Sequence, residues 1–496
     1  MRKKLALFLS LMLTASCVGG CNFIDGGKMD ISDVDIPTFA ETKGVRFTAY
    51  SGPTVENWSG TSRNVSTITD EHFQKFVEAG FNKLLAVHEG APSGRGSNIY
   101  ETVKLHSKCA EEDAMKVLEL AEKYNIKYYV RDWTFYDLGN NTNWESFSTY
   151  EEYEKVITQM FSEENPYIYS SAYVGNFCRD EPGADQFERL KWQIEIYNKC
   201  MEERGIEGVE PLVNLLPAYG STISFGGERG EPISYVEYVD RYFEELAPML
   251  GYVSYDYYPF MSHNTEGSLM KSSFIANLEI MANKCKQTGC ELRTFVQTGG
   301  DFTGLRDLTS IGDFRLQVYL NMAFGAREMT YYEYGTFNDQ TDGDFGLIDL
   351  QDGSYNYTYE MAKTVNNEVH KFEDAYLHFN YDGVMCISSK PASQINTHFR
   401  GVANQFKSHD RLGKIKVTED AVLTSFKDVD GNDAFMLVNY TDPYFDLDNE
   451  VTIQFKDAKA LLMYRFGEEH VVPLNKDGTY TFKLYPGEGR FIIPLK

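Results

Sequence analysis

The sequence is poor in the groupings that hold metals or disulfide frameworks. Its eight cysteines include no CxxC pair and its nine histidines are scattered, so no zinc site and no disulfide framework is expected. No metal ion and no organic cofactor is implied. Positive charge is scarce too: 47 Lys and Arg stand against 73 Asp and Glu, a net charge of −26. A surface that acidic repels nucleic acid and anionic membranes, which excludes nucleic acid as a partner. No phosphate-binding glycine fingerprint follows the first strand-like stretch, which argues against a nucleotide site.

What is present begins with a secretory signal. Arg2, Lys3 and Lys4 precede the apolar run from Leu5 to Leu13, which is too short to remain as a spanning helix. The following stretch, Leu13-Thr-Ala-Ser-Cys17-Val-Gly-Gly-Cys21, resembles the lipobox of bacterial lipoproteins. That resemblance implies lipidation at Cys17 or Cys21, with residues 1–21 as signal and 22–43 as a polar tether. The expected location is the outer face of the bacterial cell membrane, held only by the N-terminal lipid, or otherwise secreted. The remaining cysteines are Cys109, Cys178, Cys200, Cys285, Cys290 and Cys386. Of these, Cys285 and Cys290 are close enough in sequence to pair across a helix end or to stay as free thiols.

From residue 44 to about 380 the hydrophobic period alternates between strand-like and helix-like. Strands are expected at 44–51, 83–88, 126–133, 173–177, 210–216, 252–257, 291–297 and 328–332. Amphipathic helices are expected between them and after the last. Eight such units with near-continuous apolar strands predict a (β/α)8 barrel, the TIM barrel. A doubly wound open sheet rarely needs eight. From 381 to 496 the runs shorten, and Asp430-Gly-Asn, Asn475-Lys-Asp-Gly and Pro486-Gly-Glu-Gly punctuate them. That pattern predicts an all-β antiparallel sandwich.

In a TIM barrel the C-terminal strand ends share one cleft. Reading them in order gives Tyr50, His88-Glu89, Asp132-Trp133, Asp180-Glu181, Asn214, Asp256-Tyr257-Tyr258, Gln297 and Glu333-Tyr334. The collection has no serine elbow and no lysine poised for a Schiff base. Carboxylates among amides and aromatics suit glycosidic cleavage, in which one acid protonates the leaving oxygen and a second attacks or activates water. Glu181, Glu333 and Asp256 are the candidate catalytic acids. Asp180, His88, Asp132, Trp133, Asn214, Tyr257 and Gln297 are the candidate sugar-binding groups. Simpler roles compete: acids ahead of a helix cap it, and a carboxylate between tyrosines is held by hydrogen bonds or by an arginine such as Arg327.

The stretch Asp180-Glu181-Pro182 resembles the Asn-Glu-Pro-like motif of glycoside hydrolases whose barrels carry an acid/base glutamate at the end of strand four. Asp256-Tyr-Tyr-Pro259, Tyr331-Tyr-Glu-Tyr-Gly335 and the closing sandwich are similar to bacterial barrel glycosidases as well. The resemblance implies that Glu181 is the acid/base and that the substrate is a carbohydrate. Two departures stand out. The clan places its nucleophile, a glutamate, at the end of strand seven, where this chain has Gln297, and Asp180 replaces the clan's asparagine. The second acid is therefore expected from Glu333 or Asp256. The alternative is a surface lipoprotein that binds glycans without cleaving them. A two-lobed transport-binding protein does not fit eight strand–helix units followed by a sandwich.

Overall fold

A computed structural model describes residues 27–56, 65–85, 112–138, 149–227, 230–262, 270–300, 304–336, 346–388 and 396–496. The expected signal and lipidation sites, Cys17 and Cys21, lie outside the described residues, as does His88.

The architecture is a (β/α)8 barrel followed by an antiparallel sandwich. The barrel strands are β1 (Arg46–Tyr50), β2 (Lys83–Leu85), β3 (Lys127–Val130), β4 (Tyr173–Asp180), β5 (Leu212–Asn214), β6 (Tyr252–Ser254), β7 (Glu291–Gln297) and β8 (Ala326–Tyr332). They pair in parallel with their sequence neighbours, and β1 pairs with β8. The ring closes between β5 and β6, where the Leu215 amide donates to the Ser254 carbonyl at 2.8 Å. Helices cover the outside of the ring, so both ends of each strand's residue alternation are buried, and the strands read as apolar runs. Local signals set the helix starts. The Thr149 hydroxyl and Glu152 form a capping box ahead of Tyr150–Met160, and Asp313 accepts from the amides of Thr309 and Ser310 ahead of Ile311–Ala323.

The sandwich pairs a six-stranded sheet with a three-stranded one. The larger sheet also covers the barrel, and alternate residues of one strand show how. In Asp433–Asn439, Met436 and Val438 join the barrel's hydrophobic core, while Phe435 and Leu437 join a second core inside the sandwich. A strand buried on both faces carries no polar alternation.

Residues 27–43, expected as a tether, are instead laid along the molecule. The Met29 amide donates to Leu474, Lys459 pairs with Asp33 at 2.5 Å, and the Thr42 amide donates to Asp374 at 2.7 Å. Polar residues read as a solvated linker are here the partners of a folded surface. Two shorter corrections belong to turns, and the cysteine alternatives resolve. Strand three stops at Val130, and Trp133 opens the short helix Trp133–Leu138. The last barrel helix breaks into Tyr357–His370 and Glu373–Leu377. Cys285 and Cys290 are free thiols. Among the described residues no helix is long and apolar enough to cross a membrane.

Candidate active site

β4 delivers Asp180 and Glu181 to the C-terminal end of the barrel. Glu181 takes φ of 46°, a left-handed backbone that a side-chain-bearing residue adopts only at a cost of about 1–3 kcal/mol. Neighbouring elements hold it there. The Glu181 amide donates to the Asn214 carbonyl at 2.8 Å, and the Pro182 carbonyl accepts from the Tyr238 hydroxyl at 2.7 Å. Gly183 completes the turn, since a Cβ there would stand 2.3 Å from Gly227 Cα.

Asn214, at the end of β5, binds two of the carboxylates with one amide. Its Nδ2 donates to Asp180 Oδ1 at 3.1 Å and to Asp256 Oδ1 at 3.0 Å, while its Oδ1 accepts from Ser254 Oγ at 2.9 Å. The Tyr50 hydroxyl adds a bond to Asp180 Oδ2 at 3.1 Å. Asp256 is only 6% exposed and is a hydrogen-bond neighbour of Glu181. Asp180, Glu181 and Asp256 thus converge on one cavity of about 480 Å³, walled also by Tyr50, Asn214, Tyr219, Tyr258, Lys271, Phe295, Leu305 and Tyr332.

Charge repulsion and dehydration set the protonation of this cluster. The Glu181 side chain opens to the cavity, yet the surrounding walls strip its water, and with the Asp180 charge they push its carboxyl up to about 7. The bond with Asp256 works the other way. Burial also raises Asp256, and the Glu181 and Asp180 charges add to it, with the Asn214 amide opposing. Burial raises Asp180 despite Asn214, Tyr50 and the nearby Arg131 and Arg179. Asp256 and Glu181 titrate as a pair, and the Asn214 donor is the interaction that opposes the burial of Asp256 and favours a charge there. Among the described residues, no group of three or more His, Cys, Asp or Glu side chains is arranged to hold a metal ion.

Glu333, Gln297, Asp132 and Tyr257 do not wall the cavity, and the Trp133 side chain, like His88, lies outside the described residues. Glu333 follows β8, half-buried and apart from the cavity. Burial pushes it up to about 7 against a hydrogen bond from Ser51. Gln297 is 1% exposed and spends its amide on the backbone: Oε1 accepts from the Phe260 amide, and Nε2 donates to the Gly299 and Arg306 carbonyls, both at 3.1 Å. It stitches loops together and does not wall the cavity. Asp132 caps the helix Trp133–Leu138 by accepting from the Phe135 amide at 3.3 Å, and it takes the Tyr167 hydroxyl at 3.3 Å. Tyr257 is 2% exposed and turns its hydroxyl to Ser273 Oγ at 2.6 Å. Its sequence neighbour Tyr258 faces the cavity in its place, with its ring 5.4 Å from that of Tyr332.

Tyr219, Lys271 and Leu305 were missed because they come from loops well beyond the strand ends. Lys271 Nζ stands 3.6 Å from the centre of the Tyr219 ring, a cation–π contact on the cavity wall. Tyr258 and Tyr332 did carry a signal, since both sit at or next to strand ends.

No protein-family model matches the sequence, and no curated protein matches it. Solved structures share its fold. A GH42 β-galactosidase from G. stearothermophilus aligns at a TM-score of 0.54 and 9% identity, over 92% of this chain and 99% of its own. A glycoside hydrolase family 5 protein from Bacteroides vulgatus aligns at 0.51 and 10%, over 95% of this chain and 94% of its own. A further glycoside hydrolase aligns at 0.51 and 11%, over 95% and 97%. The fold is therefore one that glycoside hydrolases of at least two families share.

Proposed function

We propose that the protein hydrolyses O-glycosyl bonds of an oligo- or polysaccharide, with Glu181 as general acid/base and Asp256 as its partner carboxylate. The observation that carries this reading is the convergence of Glu181 and Asp256 on one aromatic-walled cavity at the strand ends. Glu181, pushed up to about 7, can carry a proton as a general acid must, and Asn214 opposes the burial that raises Asp256, the group that must ionise to attack or to activate water. Retaining pairs stand roughly 5 Å apart, and inverting pairs roughly 6.5–9.5 Å. The separation of Glu181 and Asp256 in a substrate complex therefore decides between the two outcomes. Asp256 is buried and tethered to Asn214, so the exposed Glu181 side chain is the one free to swing.

The test is hydrolysis of a glycan panel by the mature protein beside Glu181→Gln, which keeps shape and removes the proton donor. One glycan cleaved by wild type and cleaved about 10²-fold more slowly, or worse, by the variant is expected. The absence of a carboxylate at the end of β7 favours a second reading, a receptor that binds glycans without cutting them. Binding without cleavage, unaffected by Glu181→Gln, would establish that reading and end the first.

The basic, apolar N-terminus and the cysteines after it support export and a lipid anchor on the outer face of the cell membrane. Metabolic labelling with a radioactive fatty acid should mark the protein and be lost in Cys17→Ala or Cys21→Ala; an unlabelled protein would mean plain secretion.

A further inference from the structure

Two aromatic side chains of the sandwich stand at the open end of the barrel, and the chemistry above does not use them. Tyr444 and Phe445 lie in the single 3-10 turn Pro443–Phe445 and are 60% and 47% exposed. Their rings are 5.6 Å apart and nearly perpendicular at 88°. A lone exposed aromatic needs no explanation, but this pair is rigidly mounted. Asp442 Oδ1 accepts from the Tyr444 amide at 3.1 Å and from Arg306 Nη2 at 3.0 Å, and the same Nη2 bonds Asp313 Oδ1 at 2.6 Å. Pro443 packs on Gly312, where a Cβ would come within 3.0 Å of the proline Cβ.

The mounting is continuous with the cavity. Leu305 walls it, and the next residue, Arg306, sets its guanidinium 5.9 Å from the centre of the Tyr444 ring and 4.4 Å from that of Phe260. Tyr444 thus packs on the residue that follows a wall residue of the cavity. Rigid aromatic faces with a phenol at one edge match the apolar face and hydroxyl rim of a sugar ring, and they lose little freedom when they bind it.

We propose that Tyr444 and Phe445 form an outer subsite for a distal sugar of the chain whose scissile bond lies at Glu181. The proposal rests on reading the cavity as a carbohydrate site. It makes the substrate an extended oligo- or polysaccharide, and the sandwich part of its binding surface.

The experiment uses the mature full-length protein with Tyr444→Ala and Phe445→Ala combined, beside wild type. Val429→Ser serves as control, since Val429 is 93% exposed in the turn before Asp433–Asn439, the opposite end from Tyr444. Retention is measured in native gels containing β-mannan, β-1,4-galactan, arabinan or xylan. Hydrolysis is measured on the same polymers and on p-nitrophenyl monosaccharides. The double variant should lose affinity for the retained polymer about 10-fold, with KM up by the same factor, kcat kept and the monosaccharide glycosides unaffected. Equal retention of wild type and variant, retention of neither, or an equal loss on the monosaccharide glycosides would overturn the subsite. Retention lost with no polymer cleaved by wild type would leave the subsite standing and remove the catalytic reading of Glu181.

Discussion

The two ends of the barrel treat their carboxylates in opposite ways. At the N-terminal ends of the strands Glu328 is 2% exposed and surrounded by cations: Lys83 Nζ at 2.8 Å, Arg46 Nε at 2.9 Å and Arg293 Nε at 3.5 Å. Arg293 also bonds Glu210 at 2.5 Å and Glu291 at 2.9 Å. Burial alone would raise Glu328, but these cations hold it far below the usual carboxylate range. At the C-terminal ends burial wins. Asp180, Glu181 and Asp256 are all raised, because one amide, one hydroxyl and two arginines beside Asp180 do not replace the lost water. Both clusters gather three carboxylates at or next to the ends of the barrel strands. The difference is compensation: the compensated end is a structural plug, and the uncompensated end stores a proton near neutral pH.

The strongest way to break this contrast is Lys83→Met. It strips a partner from a buried carboxylate and should cost about 3 kcal/mol or more in urea unfolding, with kcat per folded molecule unchanged. The sign with pH follows from the depressed acid. The stabilisation is present above the ordinary value of 4.5 and lost as the pH falls through the folded value, so the variant's deficit should be full at pH 7 and narrow in acid. A deficit under about 1 kcal/mol would mean that the lower network is no more compensated than the upper cluster.

A smaller effect sharpens the other end. Asn214→Leu removes the donor that favours an ionised Asp256, so the acidic limb of kcat/KM should rise by about one pH unit, equivalent to about 1.4 kcal/mol. The basic limb, set by Glu181, should stay near 7, and the profile should narrow. An unmoved acidic limb would show that Asp256 is not the group that must ionise.

The barrel was legible because its strands are buried on both faces and its helices carry caps and amphipathic stripes. β7 is legible at its observed bounds, Glu291–Gln297, since Gly289 before it and Gly299-Gly300 after it leave the segment little freedom to shift. Glu181, Asp256 and Asn214 were legible as strand-end polar residues, and the structure brings them together. Gln297 shows the limit. Its position at a strand end was correct, but whether an amide meets a ligand or the backbone depends on how the 260 and 306 loops fold, which no local pattern records. The same limit explains Tyr257 against Tyr258, where one step along the chain exchanges wall for core.

The bond between Arg306 and Asp442 has a consequence for anyone who wishes to treat the two halves as modules. Arg306 belongs to the loop after β7, whose Leu305 walls the cavity, yet half of its carboxylate cage is supplied by the sandwich. Cutting the chain near residue 380 would leave a buried guanidinium short of a counter-charge and a large apolar face uncovered. Activity and architecture would be lost together. A barrel moved onto another partner would have to find a carboxylate in place of Asp442.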